Sequence, residues 1–227
     1  MNCYKTKIIE TINKIDEASI EEASSLIYNA YKNKNKIWVF GTGHSALFAI
    51  DLYVRAGGLD IFSPVYFEEL IVTDIDPLRS TNLERDTSFI KRIYEKYDFK
   101  ENDVFISISN SGRNILNVEL SLQLKNKGLK LICMSSKKHT NSVKSRHSSK
   151  KKLIDIADVF LDNCAPIGDT LITSNNQGYC PVSTVTGTII FNMIIEKLAK
   201  KIPNLDSYKS ANLDNTDEEN LKKFGKY

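Results

Sequence analysis

Apolar runs alternate along the chain with segments in which apolar residues recur at helical spacing. Residues 37–40 form a continuous apolar run, which is typical of a strand buried on both faces of a parallel sheet. Further strands are predicted at residues 61–67, 104–108, 129–134 and 159–161, and helices at residues 46–56, 88–97, 115–124 and 183–198. Strands alternating with helices indicate an α/β fold, with a doubly wound parallel sheet flanked by helices.

The two ends of the chain differ from this alternating middle. Two helices are predicted within about residues 1–34, and Ser19 with Glu22 matches a capping box that would begin the second helix. From Asp206 the chain is polar and acidic, so residues 206–227 are predicted to be a frayed tail or a lid. The 227 residues fit one domain spanning residues 1–227.

The positive charge of the chain is concentrated in residues 137–152, here called the basic segment. It holds seven of the 31 basic residues and no acidic one, so 24 basic residues face 28 acidic residues elsewhere. A solvated loop is the favoured interpretation, and a flap whose cations face an anionic ligand is the alternative. The formal net charge of +3 is too small to indicate nucleic acid as a partner.

The spacing of the cysteines indicates whether the chain can hold a metal, and the length of its apolar stretches indicates whether it can span a membrane. The four cysteines form no CxxC pair and have no histidine at a metal-ligand spacing, so no metal and no cofactor are predicted. The longest apolar stretch, at residues 182–195, is shorter than the roughly 20 residues that a membrane span requires. We therefore expect a reduced, cytoplasmic protein that does not contact a membrane.

Two loops carry the candidate chemistry, and each leaves a buried strand and enters a helix. Residues 41–45 read Gly-Thr-Gly-His-Ser and are called the glycine loop; residues 109–114 read Ser-Asn-Ser-Gly-Arg-Asn and are called the serine loop. Helix N-termini offer free N–H donors, and small hydroxyl side chains add donors, so both loops suit an anion such as phosphate. Either loop alone is a weak signal, whereas the two together favour a phosphate site.

A dinucleotide site is the rival interpretation of the glycine loop. Residues 41–46 fit G-x-G-x-x-G/A, and Glu68 lies near the distance expected for a ribose-binding acid. A dinucleotide site has no need of the serine loop, so this alternative ranks below a sugar-phosphate site.

Three motifs resemble the SIS (sugar isomerase) domain family. They are Gly41-x-Gly43-x-Ser45, the Ile-Ser-Asn-Ser-Gly sequence at residues 108–112, and Pro-Val-Ser-Thr at residues 181–184. Residues 54–58, 145–147 and 162–166 further resemble a single-domain, phosphosugar-binding branch of that family. The resemblance implies a flavodoxin-like or Rossmann-like sandwich that forms a homodimer or homotetramer, with sites at subunit interfaces.

The resemblance also implies which residues surround the phosphorylated sugar. Position 114 is usually threonine in the family and is Asn114 here, whose amide can still donate a hydrogen bond. The implied binding residues are Gly43, Ser45, Ser109, Asn110, Ser111, Gly112, Asn114 and Ser183, with His147 reaching the sugar from the basic segment as a further candidate. An ordinary mobile loop is the alternative for His147.

The implied activity is aldose–ketose isomerisation through an enediol, which needs a carboxylate base and often a histidine. Phosphoheptose isomerases place a glutamate on the helix after the first loop, where this chain has Arg55, and a histidine on the last helix, where it has none. Similarity to arabinose-5-phosphate isomerases suggests Glu68 or Glu69 as the base instead. His44 is a candidate for ring opening, or an ordinary loop histidine.

Three further sites have simpler interpretations. Asp162 and Asp169 would bind sugar hydroxyls or, more simply, cap turns, and Glu84 with Arg85 is interpreted as a pair of solvated surface charges.

The motifs together favour a phosphosugar isomerase as the function. A lyase or deglycase acting on a sugar phosphate and a non-catalytic sugar-phosphate sensor remain as alternatives. The family's regulators carry a DNA-binding helical domain, and because only the two predicted helices precede residue 37, we expect this chain not to be such a regulator.

Overall fold

Five parallel strands form the central sheet of the computed structural model, which describes residues 3–72, 76 and 78–225. The strands are β1 (Ile37–Gly41), β2 (Phe62–Val65), β3 (Val104–Ile108), β4 (Lys130–Ser135) and β5 (Val159–Asp162), in the spatial order β2-β1-β3-β4-β5. This order confirms the predicted doubly wound sheet. The outermost residues of the predicted single domain, 1–2 and 226–227, lie outside the described residues.

Helices cover both faces of this sheet. They are α1 (Tyr4–Ile12), α2 (Glu17–Lys32), α3 (Leu47–Asp51), α4 (Arg79–Leu83), α5 (Phe89–Lys96), α6 (Ile115–Asn126), α7 (Lys137–Ser142), α8 (Leu153–Ile156), α9 (Ser183–Lys201) and α10 (Asp217–Phe224). Alternate residues of a strand point to opposite faces, so Ile106 packs in the core under α2 and α9 while Phe105 packs in the core under α5 and α6. No helix among residues 3–72, 76 and 78–225 is long and apolar enough to cross a membrane.

The chain changes direction across the sheet between β1 and β3. From β1 it proceeds outward to β2, and from β3 it proceeds outward to β4 and β5 on the other side. Gly41 at the end of β1 is paired in register with Ile108 at the end of β3. The glycine loop and the serine loop therefore leave neighbouring strand ends, at the switch point where doubly wound sheets bind ligands.

Two predicted helix boundaries were wrong. Helix α2 begins at Glu17, because the carboxylate of Asp16 accepts the N–H groups of Ala18 and Ser19 and so caps it in place of the predicted capping box. The predicted helix 46–56 is shorter than expected, with a 3₁₀ turn over Gly43–Ala46 followed by α3. The backbone of Val54 has φ of 32°, a left-handed conformation that no helix continues through.

The sequence pattern also missed a hairpin, and the structure corrects the interpretation of two polar segments. Strands β6 (Thr170–Ser174) and β7 (Gln177–Pro181) form an antiparallel hairpin whose two turn residues both have positive φ. In the basic segment, the ammonium of Lys152 donates to two backbone carbonyl groups, so the segment is not simply solvated. Residues 206–225 of the tail are folded rather than frayed, since the rings of Tyr208 and Phe224 pack against each other with centroids 3.9 Å apart.

Candidate functional site

The glycine loop folds back tightly at the end of β1. A Cβ at Gly41 would collide with the backbone carbonyl of Ser45, so only glycine fits there. The N–H of Ser45 donates to the carbonyl of Thr42 at 3.1 Å, which closes the turn. His44 is exposed, Ser45 is half-buried, and the Ser45 hydroxyl has no hydrogen-bond partner within the described residues.

The serine loop is held from both sides at the end of β3. The N–H of Ser109 donates to the carbonyl of Met134, and the N–H of Gly112 donates back to the carbonyl and the hydroxyl of Ser109, at 3.0 and 3.3 Å. The side-chain amide of Asn163 donates to Asn110 Oδ1 at 3.0 Å. These bonds fix the loop before any ligand binds.

Within this fixed loop, Ser111 keeps a free side chain. Its backbone carbonyl accepts from Thr140 Oγ1 at 3.0 Å, while its hydroxyl has no hydrogen-bond partner in the part of the chain that the structure describes. The hydroxyls of Ser45 and Ser111 are thus both available at neighbouring strand ends.

Asn114 joins the serine loop to the basic segment. It is buried and precedes α6, but its side chain does not cap that helix. Instead Asn114 Oδ1 accepts from Arg146 Nη1 at 2.6 Å, and the backbone N–H of Arg146 donates to the carbonyl of Arg113 at 3.1 Å. The basic segment is therefore attached to the serine loop.

Glu84 joins the glycine loop to α6, and the interpretation of Glu84 as a solvated surface charge was wrong. Thr42 Oγ1 donates to Glu84 Oε2 at 2.8 Å, and the backbone carbonyl of Glu84 accepts from the N–H of Leu116 at 3.1 Å. Burial raises the pKa of Glu84, while the bond from Thr42 and the charge of Arg146 act in the opposite direction. No local sequence signal marks Glu84, because its burial comes from tertiary contacts.

The predicted bases Glu68 and Glu69 lie after β2, in a 3₁₀ turn over Glu68–Leu70. Glu68 is exposed. Glu69 pairs with Arg92 at 2.7 Å and with Arg79 at 3.9 Å, and the bond from Arg92 lowers the pKa of Glu69. Neither carboxylate hydrogen-bonds to the glycine loop or the serine loop, judged over the described residues.

His147 is buried beside α6. Its Nε2 lies 2.6 Å from Glu119 Oε2 and its Nδ1 lies 2.7 Å from Ser149 Oγ. The N–H of Ser149 also donates to Nδ1 at 3.2 Å, which places the ring proton on Nε2, facing Glu119. The ring is thus held by its own segment and by α6, and the mobile-loop alternative for His147 was wrong.

The start of the last long helix is capped by an aspartate. The N–H and the hydroxyl of Ser183 donate to the carboxylate of Asp169 at 2.8 and 2.7 Å. Asp162 similarly accepts the N–H groups of Lys137 and Cys164. Turn capping, the simpler prediction for both aspartates, is confirmed, and the hydroxyl of Ser183 is engaged within the protein.

Comparisons with known proteins agree with these motifs. The family profile described as SIS domain matches residues 3–136. A UPF0309 protein of Thermoanaerobacter pseudethanolicus is 36% identical over 97% of this chain and 93% of its own length. A UPF0309 protein of Halalkalibacterium halodurans is also 36% identical, over 99% of this chain and 95% of its own length. The chain belongs to the SIS domain family.

Solved structures similar to this SIS domain share its fold. The structure of the phosphoheptose isomerase from Neisseria gonorrhoeae matches with a TM-score of 0.55 and 16% identity, over 84% of this chain and 91% of that chain. The NanR protein of Vibrio vulnificus complexed with ManNAc-6P matches with a TM-score of 0.52 and 14% identity, over 88% of this chain and 60% of that chain.

The arrangement in this SIS domain suits the binding of an anion next to a proton-transfer group. Hydroxyl donors of both loops lie at neighbouring strand ends, beside the N-terminal end of the 12-residue helix α6, and the space between the two loops is called the crevice. A half-buried carboxylate, Glu84, hydrogen-bonds to Thr42 of the glycine loop. Among the described residues, no group of three or more His, Cys, Asp or Glu side chains is placed to hold a metal ion.

Proposed function

We propose that this SIS domain binds the phosphate group of a sugar phosphate in the crevice between the glycine loop and the serine loop, and interconverts the aldose and ketose forms of that sugar. The observation that carries the proposal is the pair of free hydroxyls, Ser45 and Ser111, at the two strand ends of the switch point. Buried or half-buried hydroxyls without protein partners favour a polar ligand.

Phosphate fits this crevice better than a bulkier anion. The donors come from small side chains on tightly folded backbone, and Ser109 keeps its own hydroxyl proton after accepting from Gly112. Three hydroxyl groups and the dipole of α6 can hold three phosphate oxygens without any charged side chain. Gly43 and Gly112 allow the backbone to approach closely, and Asn110 and Asn114 support the loop.

Two proteins of the same fold support a sugar phosphate as the ligand. One is named a phosphoheptose isomerase, and the other was solved in complex with ManNAc-6P. The first also supports an isomerase over a sensor, while the second is named only for its complex with a ligand, so a non-catalytic sensor stays the alternative.

Glu84 is our proposal for the base of the isomerisation, in place of Glu68 or Glu69. Its carboxylate would take the proton from the carbon next to the carbonyl, and the C–H electron pair would form the enediol double bond as the carbonyl oxygen gains a proton. Returning the proton to the adjacent carbon, with loss of the proton from the other oxygen, completes the interconversion. A carboxyl with a raised pKa suits such a two-way transfer. His44, exposed in the glycine loop, is available to assist ring opening.

The predicted homodimer or homotetramer stays part of this proposal. Leu47 and Ile50 on α3, and Val54 just past its end, are exposed apolar residues that follow the glycine loop in the chain. A second copy of the chain that covers these residues would lie near the glycine loop.

The test measures binding and proton exchange separately. Calorimetry with a panel of sugar phosphates gives affinity, and incubation in deuterated water followed by NMR detects deuterium at the carbon next to the carbonyl. The double variant Ser109→Ala/Ser111→Ala should lose binding. The matched double variant Ser19→Ala/Ser25→Ala, on half-buried positions of α2, should keep it.

The outcomes separate the alternatives. Binding with deuterium exchange supports the isomerase, and additional release of a fragment indicates a lyase. Binding without exchange for every sugar tested favours the sensor. Unchanged affinity in the Ser109→Ala/Ser111→Ala variant would refute the site assignment.

A further inference from the structure

The six arginines of the chain divide into two groups of three. One group pairs with carboxylates: Arg55 with Asp51, and Arg79 and Arg92 with Glu69. The second group forms no ion pair with any residue that the structure describes. Its members are Arg85, Arg113 and Arg146.

The three unpaired arginines lie together at the rim of the crevice. The backbone N–H of Arg146 donates to the carbonyl of Arg113 at 3.1 Å, and the Arg146 guanidinium donates to Asn114. Arg85 follows Glu84, whose carboxylate accepts from Thr42 of the glycine loop and whose carbonyl accepts from Leu116 of α6. Three segments that are distant in sequence thus bring three arginines to the same part of the molecule.

Electrostatics agree with this clustering. Burial lowers the pKa of Arg146, and the positive charges of Arg113 and Arg85 lower it further, with Glu84 as the carboxylate that acts in the opposite direction. Folding gains nothing from placing like charges together, so a cationic cluster with too few carboxylates is typical of a site for an anionic ligand.

The phosphate itself does not need these arginines, because neutral donors of the two loops already serve it. The guanidinium groups are therefore available to a second negative group on the same molecule. We propose that the crevice takes a sugar phosphate carrying a second anionic group, a carboxylate or a second phosphate, which Arg85, Arg113 and Arg146 bind. Guanidinium forks match both groups through paired hydrogen bonds. This inference rests on the proposed function of sugar-phosphate binding.

The test compares probes that differ by one anionic group. The carboxylate arm compares glucose 6-phosphate with 6-phosphogluconate, and the phosphate arm compares fructose 6-phosphate with fructose 1,6-bisphosphate. Calorimetry on the wild-type chain should give at least about 10-fold tighter binding for the doubly anionic member of one pair, and this preference should weaken as salt is added.

The double variant Arg85→Gln/Arg113→Gln should reduce that preference to about 3-fold or less, while binding of the singly anionic sugar phosphate changes little. Arg85 makes no side-chain hydrogen bond among the described residues, and Arg113 makes one of 3.5 Å, so this variant should fold. Arg55→Gln, which removes an exposed and paired arginine, is the matched control.

The results distinguish the inference from the proposed function. Absence of binding to all four probes counts against both. Binding of the singly anionic sugars with no preference for either doubly anionic probe would overturn the inference alone. A preference that survives in the double variant would overturn it as well, because another group would then hold the second anion.

Discussion

Replacing Gly112 with alanine should distort the serine loop and weaken phosphate binding. Gly112 has φ of +60°, in the left-handed region. A Cβ there would lie 2.9 Å from Ser135 Oγ, 3.4 Å from Thr140 Oγ1 and 3.5 Å from Leu153 Cβ. All three neighbours are buried, so none can move away easily.

The expected cost has two parts. The left-handed conformation costs a residue with a Cβ roughly 1–2 kcal/mol. Overpacking against buried neighbours adds roughly 1–3 kcal/mol. We therefore expect Gly112→Ala to lower the free energy of unfolding by about 2–5 kcal/mol.

Gly168→Ala separates the two parts. Gly168 has φ of +81°, but nothing lies within 4 Å of the position of its Cβ. The free energy of unfolding of Gly168→Ala should therefore fall by the backbone part alone, roughly 1–2 kcal/mol. Denaturant unfolding gives both free energies, and calorimetry with a sugar phosphate gives the affinity. Equal losses of stability in the two variants would refute the packing argument, and unchanged affinity in Gly112→Ala would refute the role of this loop geometry in binding.

Two further predictions concern titration and capping. Burial raises the pKa of Glu84 above its ordinary value of 4.5, so the folded state holds this proton more tightly than the unfolded state does. The free energy of unfolding of the wild type should therefore fall as pH rises from 4.5 through the raised pKa, and Glu84→Gln should lack this pH dependence. A constant difference in the free energy of unfolding between the two proteins, from about pH 4 to about pH 8, would contradict the prediction. Asp169→Ala removes the acceptor at the start of α9 and should cost about 1–2 kcal/mol in thermal or denaturant unfolding. Asp169→Asn keeps an oxygen acceptor and should lose less, so equal losses in the two variants would contradict the acceptor role of Asp169.

The sheet could be predicted from the sequence because its strands are buried on both faces. The run predicted at residues 104–108 coincides with β3, in which all five residues are buried. Helix ends were harder, since they depend on single contacts such as the Asp16 cap of α2. The hairpin of β6 and β7 lacks the apolar alternation that marks a strand, because all ten residues of its two strands are exposed or half-buried.

The two loops of the crevice were also predictable, since their donors are coded in short contiguous motifs that follow buried strands. The charged part of the site was not, because a sequence shows how many charges a chain has but not which of them pair. Glu84 and Arg85 were interpreted as a pair of solvated surface charges, yet Glu84 hydrogen-bonds to Thr42, and Arg85, Arg113 and Arg146 form no ion pair within the described residues. The positive charges of Arg113 and Arg85 act against that of Arg146, and the charge of Glu84 acts in the opposite direction. Like charges that repel one another beside two loops of free hydroxyls are the physical reason to assign these arginines to a ligand rather than to stability.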